Sequence, residues 1–462
     1  MKNALKGKNL AYTATIVFAL ILVLTLFVFR YGVSDNGDLT GRFEHLGLYD
    51  ALYDSGAGSG EYPTLFGVMG MPKGFSTADL PYRAIMLASP AVPVAVPAAI
   101  YAILLLMGVF LIIRTLLTKY DWNNILLAVL CVLFFADSGY TAFLNTPYTE
   151  AAAFVYLTLS VGTLLWAVNN KGILPYIAAG ISCILFAGVS ATTAWISFLT
   201  ALFFVILLIK NSGTAKKVVC ALCAVLVVLT SVITLAGDKP SDSKLFDSIF
   251  YGVALETPGN AVQMGISEQD AKALWGKASF DADALSYLAD NSLSDKFSYK
   301  DVSMFYLSHP SVYIENAKKV ANNSVMINTE YLGNYPYGSG KGAEQGKFFK
   351  LYSSIKPRMI PSNLAILAVL LMGLFIGTLF YRKKYAETDS AKRVCDLVLL
   401  GVIASVIAFN LPLIYGGLVQ IGFYMHLYNQ LFDFCLLALI VGGTKLLWKR
   451  REGLKEKYGV NQ

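Results

Sequence analysis

The chain has 462 residues, 56% of them hydrophobic and only 15% charged, with a mean hydropathy of +0.57, too apolar for a soluble fold of this length. The bilayer is therefore the solvent. The formal net charge of +7 comes from basic residues scattered over helix ends and not gathered into one stripe, so no nucleic-acid partner is expected.

A spanning helix needs roughly 20 largely apolar residues to cross about 30 Å of hydrocarbon. Ten stretches qualify: residues 9–31, 92–117, 122–138, 150–168, 173–190, 192–210, 217–236, 361–381, 395–415 and 426–447. The first is longer than a signal-peptide core and has no small-residue cleavage pattern before Arg30 and Tyr31, so it reads as a retained helix. Between the stretches, Lys2, Lys6 and Lys8, Arg114 and Lys119, Lys171, Lys210 to Lys217, Arg382 to Arg393 and the tail from Lys445 to Lys457 fall on one side. By the positive-inside rule that side is the cytoplasm, and an even number of spans puts both termini there. Cys131, Cys183, Cys220, Cys223, Cys395 and Cys435 all fall within apolar stretches, as packing residues.

The polar mass lies on the other face. The expected architecture is an all-α polytopic membrane protein of about ten transmembrane helices. Residues 1–236 hold seven spans and a first outer loop (32–89), residues 237–360 an extracytoplasmic loop domain, and residues 361–462 three spans and a basic tail. In the late loop, which is mainly helical, Ser267 is placed to cap a short helix and a second helix is expected over residues 299–321. An aromatic turn, Tyr331-Leu332-Gly333-Asn334-Tyr335-Pro336, follows it.

Three groups of residues are placed for chemistry. Ser34-Asp35-Asn36-Gly37-Asp38 comes directly after the first span, followed by Arg42, Glu44 and His45. A carboxylate beside lipid has its pKa raised and acts as a base, whereas in water the same residues form an Asx-turn that ends a helix. The second group runs from Asp137 through Asn145 to Thr149 and Glu150, with its acids at membrane depth. Such acids need a cavity or a partner, or they serve as helix-start residues favoured by the dipole. The third comprises His309, Asn334, Lys341 and Arg358 in the late loop and Gln420, His426 and Asn429 at the last outer turn. Arg358 suits a lipid phosphate or a snorkelling anchor, and His426 a diphosphate or a helix cap. The chain carries no phosphate-cradling G-x-x-x-x-G-K-[ST], no H-E-x-x-H and no EF-hand pattern, which argues against an energy-coupled pump or a zinc protease.

The order of these features resembles the GT-C superfamily of polytopic glycosyltransferases, and more narrowly the bacterial hexose transferases of cell-surface glycan synthesis. The shared features are the first outer loop opening on Ser34-Asp35-Asn36-Gly37-Asp38, the acidic turn Asn145-Thr146-Pro147-Tyr148-Thr149-Glu150, and a large late loop with Ser308-His309-Pro310 and Leu332-Gly333-Asn334-Tyr335. The last outer turn, from Gly416 to Gln420, lacks the acid found in those enzymes. The resemblance implies a polyprenyl-phosphate sugar as donor, membrane lipid as surroundings, and a glycan, lipid or protein as acceptor. It gives Asp35 or Asp38 the base, Asp137 or Glu150 with Asn145 the acceptor or a divalent metal, and Arg358 and His426 the donor phosphate. Arg42, His45, His309 and Asn334 are further site candidates. A transporter or flippase of lipid-linked glycans is the alternative, and would carry broken helices at the midplane.

Overall fold

The computed structural model describes residues 2–35, 39–51, 60–117, 122–211, 213–238, 241–327, 332–416, 418–419 and 421–457. Asn36, Gly37 and Asp38 lie outside the described residues.

The protein is an all-α polytopic membrane protein. Eight helices among the described residues are long and apolar enough to cross a bilayer: Asn9–Val28, Ala95–Leu116, Thr149–Asn169, Ala191–Lys210, Thr214–Gly237, Leu364–Lys384, Asp389–Ile414 and His426–Thr444. The pair Trp122–Phe135 and Ser138–Asn145, bent by 45°, is long and apolar enough to make a ninth when taken as one broken helix. The remaining stretch, expected at 173–190, is the helix Leu174–Ala187 of only 14 residues. Pro175 sits in its first turn and Gly188 caps its end, which bounds it on both sides.

Burial sorts these helices. Thr149–Asn169 is 89% buried over its apolar window and forms the hub, whereas Leu364–Lys384 is 11% buried and faces lipid. The hub touches Ala95–Leu116 through small residues. A methyl on Gly162 would stand 2.6 Å from the Gly108 carbonyl oxygen, and one on Gly108 2.8 Å from the Leu159 nitrogen. Without a hydrophobic drive between helices in lipid, such close backbone approach supplies the dispersion contact. At the basic end, Asp396 pairs with Lys210 at 3.0 Å and Arg382 at 2.6 Å, tying three helices together.

The opposite end carries the loops. The first helix closes in a π-helical turn, Leu24–Val28, and the chain leaves through Arg30 at φ 53°. Gly32–Val33 then pairs antiparallel with Leu332–Asn334, so the expected aromatic turn around 331–336 contains a strand. A three-stranded antiparallel sheet joins Leu48–Asp50, Leu65–Val68 and Ala91–Pro93. In the late loop Ser267 caps Glu268–Ala273 as expected, accepting from the Asp270 amide. The helix expected over 299–321 is two, Tyr299–Ser308 and Pro310–Asn323. Proline has no amide to donate and fits the first turn of a helix, so the chain breaks before Pro310.

Candidate functional site

The bent span sets the floor of the loop-bearing face. Asp137, fully buried, caps Ser138–Thr141 by accepting from the Gly139 amide at 2.8 Å, and its second oxygen accepts from the Ser353 amide at 3.0 Å. Asn145 donates to the carbonyls of Leu26 at 3.0 Å and Tyr31 at 2.8 Å. Those carbonyls border the π-helical exit of the first helix, where regular pairing is lost, and the amide replaces it.

A cavity of about 110 Å³ opens beside this floor. Its charged and ionisable lining is Glu150, Asp238, Lys244, His426, Tyr415 and Tyr424, together with the hydroxyl-bearing Thr149, Ser190 and Thr192. Three helices begin at its wall: Thr149–Asn169, Ala191–Lys210 and His426–Lys457. Each contributes the positive end of its dipole and first-turn amides, an arrangement that attracts an anionic group. His426 is held edge-on by Tyr140 at 5.3 Å and packs on Phe143 at 4.2 Å, while its Nδ1 lies 2.7 Å from Gln430 Nε2. Its ring is thus fixed before any ligand arrives.

A second cluster adjoins the cavity. Asp79 ends the short turn Thr77–Asp79, which Ser76 caps. Its carboxylate is fully buried and meets Arg42 at 2.6 Å, His45 at 3.1 Å and Arg83 at 3.6 Å. Burial works to raise this carboxyl. The His45 hydrogen bond and the Arg42 and His45 charges outweigh it and hold the group below the usual carboxylate range. The turn is docked on the cavity wall: Arg42 Nε donates to the Pro147 carbonyl, Tyr82 to that of Thr146, Ser76 to that of Val189, and the Thr77 amide to that of Gly188. Those acceptors directly precede Thr149 and Ser190, so cluster and cavity share one rigid wall.

Below, between the helices, lies an apolar cavity of about 480 Å³, lined by residues such as Leu157, Ile196, Leu374, Val398, Leu431 and Phe434.

Residues 82–460 match a family model described as the YfdI N-terminal transmembrane domain. The chain belongs to this family. No curated protein matches it. The YfdI domain match takes in every residue of both cavities and begins after Asp79, so Arg42, His45 and Asp79 precede it.

Within this YfdI domain chain the expected site residues are distributed as follows. Glu150 and His426 meet at the small cavity, and Arg42 and His45 meet at Asp79. Asp35 is exposed and accepts from the Leu39 amide at 3.3 Å, at the start of Leu39–Leu46; Asp38 lies outside the described residues. Arg358 is exposed in the last turn of Leu351–Met359. His309 stacks on Phe305 at 4.0 Å where the two late helices part, and it does not line the cavity. Asn334 is buried in its strand, and neither atom of its side-chain amide has a hydrogen-bond partner. Among the described residues no three of His, Cys, Asp and Glu come together as ligands for a metal ion.

Three features escaped the reading of the sequence: Asp79, Lys244 and a buried network around Asp433. Lys356 and Asp433 pair at 2.6 Å with both side chains fully buried. Tyr140 and Tyr352 donate to the same carboxylate at 2.5 and 2.6 Å, and Lys356 also donates to Asn429 at 2.6 Å. The signal for Asp79 was present in part. Arg42 and His45 lie one turn apart on an amphipathic helix, and Asp79 and Arg83 are also a turn apart.

Proposed function

We propose that the protein is a membrane glycosyltransferase that moves a hexose from a polyprenyl-phosphate donor to a glycan, lipid or protein acceptor at the loop-bearing face. YfdI is a GT-C-like glycosyltransferase family, which supports the reaction class. The observation that carries the reading is the small cavity, which Lys244, His426 and three helix starts line together with the Glu150 and Asp238 carboxylates. A lipid phosphate is the anion this lining suits, and the apolar cavity of about 480 Å³ suits an isoprenoid chain.

In this reading Glu150 takes the proton of the acceptor hydroxyl as its oxygen attacks the anomeric carbon. The bond from that carbon to the phosphate oxygen breaks, and the polyprenyl phosphate leaves towards Lys244 and the helix starts. One displacement inverts the anomeric centre. The reading places the loops outside the cell, where nucleotide sugars are absent and a membrane-soluble donor is needed. Asp35 and Asp38 remain the competing bases.

The test is hexose transfer in liposomes from a panel of polyprenyl-phosphate sugars. Glu150→Gln is expected to lower kcat by about 100-fold or more, the usual range for loss of a general base, with the melting temperature held. Asp35→Asn should stay within about threefold of wild type, because asparagine keeps the oxygen that accepts from the Leu39 amide and caps a helix as well as aspartate does. Full activity in Glu150→Gln with collapse in Asp38→Asn would move the base to the first outer loop. The bent span, with Asp137 at its break, favours a transporter or flippase as the second reading. Transbilayer movement of donor without turnover would decide for it.

A further inference from the structure

The first outer loop carries an apolar surface that neither cavity uses. Met69, Met71, Phe75, Leu80 and Leu87 are all exposed, Leu87 by 77%. Lys73 on the same segment is exposed, and the Arg83 side chain is 36% exposed. Five exposed large apolar side chains fall within one short segment together with Lys73 and Arg83, whose Nη2 donates to the Gly74 carbonyl at 2.8 Å, the composition of an interfacial segment.

The depth of this segment follows from its hydrogen bonds. Ser76 Oγ donates to the Val189 carbonyl at 2.8 Å and the Thr77 amide to that of Gly188 at 2.9 Å, which pins the segment to the start of Ala191–Lys210. On that helix Trp195 is 45% exposed and donates from Nε1 to the Tyr415 hydroxyl at 2.9 Å. Paired amphipathic rings of this kind belong at the boundary between hydrocarbon and head groups. At 1.5 Å per residue the helix rises roughly 8 Å from Ser190 to Trp195, and each head-group layer is about 5–8 Å thick. The segment is thus level with the head groups and not above them. Its C-terminal end agrees, since Leu87 closely precedes the span Ala95–Leu116.

We propose that residues 69–87 rest in the head-group layer of the bilayer, with their apolar side chains among the upper acyl chains and Lys73 and Arg83 against the phosphates of bulk lipid. The partner is the lipid surface itself, and no substrate takes part. This inference stands apart from the glycosyltransferase reading and survives its failure. A cation at the rim of an apolar face gains from anionic lipid by direct attraction, and its stem adds to the buried area.

All six native cysteines are buried, so a thiol-reactive fluorophore reports on one introduced at a chosen position. The full chain carrying Phe75→Cys, Leu87→Cys or, as control in the late loop, Asp295→Cys is reconstituted in phosphatidylcholine vesicles with phosphatidylglycerol and no donor lipid. Brominated acyl chains are expected to quench the labels at 75 and 87 at least twofold more than that at 295, and aqueous iodide to do the reverse. Labels at 75 and 87 that iodide reaches as freely as at 295, and brominated lipid does not quench, would overturn the proposal. The two positions guard against local misfolding at one, because Phe75 packs near Gly188 whereas Leu87 is open. Lys73→Glu should reduce lipid quenching at 75 about twofold in the anionic vesicles. With the donor lipid omitted, quenching arises from bulk lipid alone.

Discussion

Asp79 shows how much of the loop-bearing face rests on one side chain. Arg42, His45 and Arg83 come from two helices and converge on a carboxylate with no exposed surface. Removing it would leave two guanidinium groups and an imidazole beside one another on the wall that the cavity shares. Its pH dependence follows from the direction of its shift. The folded state holds the carboxyl below its ordinary range, so the folded chain binds fewer protons than the unfolded one as pH falls. The stabilisation is complete above the unfolded value, about 3.9, and is lost as pH drops through the lower folded value. Melting temperatures measured from pH 7 to pH 3 in detergent should therefore fall more steeply below about pH 4 for wild type than for Asp79→Asn. At pH 7 the variant should melt lower. Parallel curves would show that Asp79 adds nothing to stability. The Lys356–Asp433 pair is a different case, because both partners are dry and each is justified only by the other and by Tyr140, Tyr352 and Asn429. Such a network fixes geometry more surely than it adds stability.

At the scale of elements, the close contact between Thr149–Asn169 and Ala95–Leu116 is the most sensitive packing in the bundle. Gly162→Ala would place a methyl 2.6 Å from the Gly108 carbonyl oxygen and 3.1 Å from Leu111 Cβ, neither of which can rotate away. The helices must separate, at a cost of about 1–3 kcal/mol, and the melting temperature should fall. Gly373→Ala on the lipid-facing helix Leu364–Lys384 meets nothing within 4 Å and should leave it unchanged or slightly raised. Equal shifts in the two variants would remove the packing argument. The same contrast explains what the sequence made legible. Hydropathy alone located every helix of the bundle, because lipid-facing surface must be apolar and continuous. It located Glu150 and His426 because both stand at helix starts. It missed the strands Leu48–Asp50 and Ala91–Pro93, which are three residues each and show no alternation to read. It missed Asp79 because the partner Arg42 is 37 residues away, and Lys244 because only the tertiary fold carries it to the cavity. No local pattern reports a contact of that kind.

For the whole molecule, the contacts show that the two unusual helices run from one end of the bundle to the other. The bent span starts near the basic end and finishes at Asn145, which donates to carbonyls at the loop-face end of the first helix, so it traverses the bundle. Leu174–Ala187 starts after the far end of Thr149–Asn169 and finishes at Gly188, whose carbonyl accepts from Thr77 on the loop face. It therefore also traverses, although 14 residues rise only about 21 Å against about 30 Å of hydrocarbon. The mismatch has a consequence for the site. It draws Gly188 to Ser190, and with them one wall of the small cavity, down towards the hydrocarbon boundary, where a lipid-borne phosphate travels. In the proposed topology these two traverses join the eight long helices, an even count that would place both termini on one face. Lys210, Arg382 and Arg393 gather at the end remote from the loops, and the proposed orientation follows the positive-inside rule by putting that end in the cytoplasm. In intact cells a membrane-impermeant maleimide should label Asp295→Cys in the late loop and reach Lys383→Cys only after permeabilisation. Labelling of both without permeabilisation would mean that Leu364–Lys384, the span between the two positions, does not cross, and protection of Asp295→Cys with labelling of Lys383→Cys would reverse the assignment of the faces.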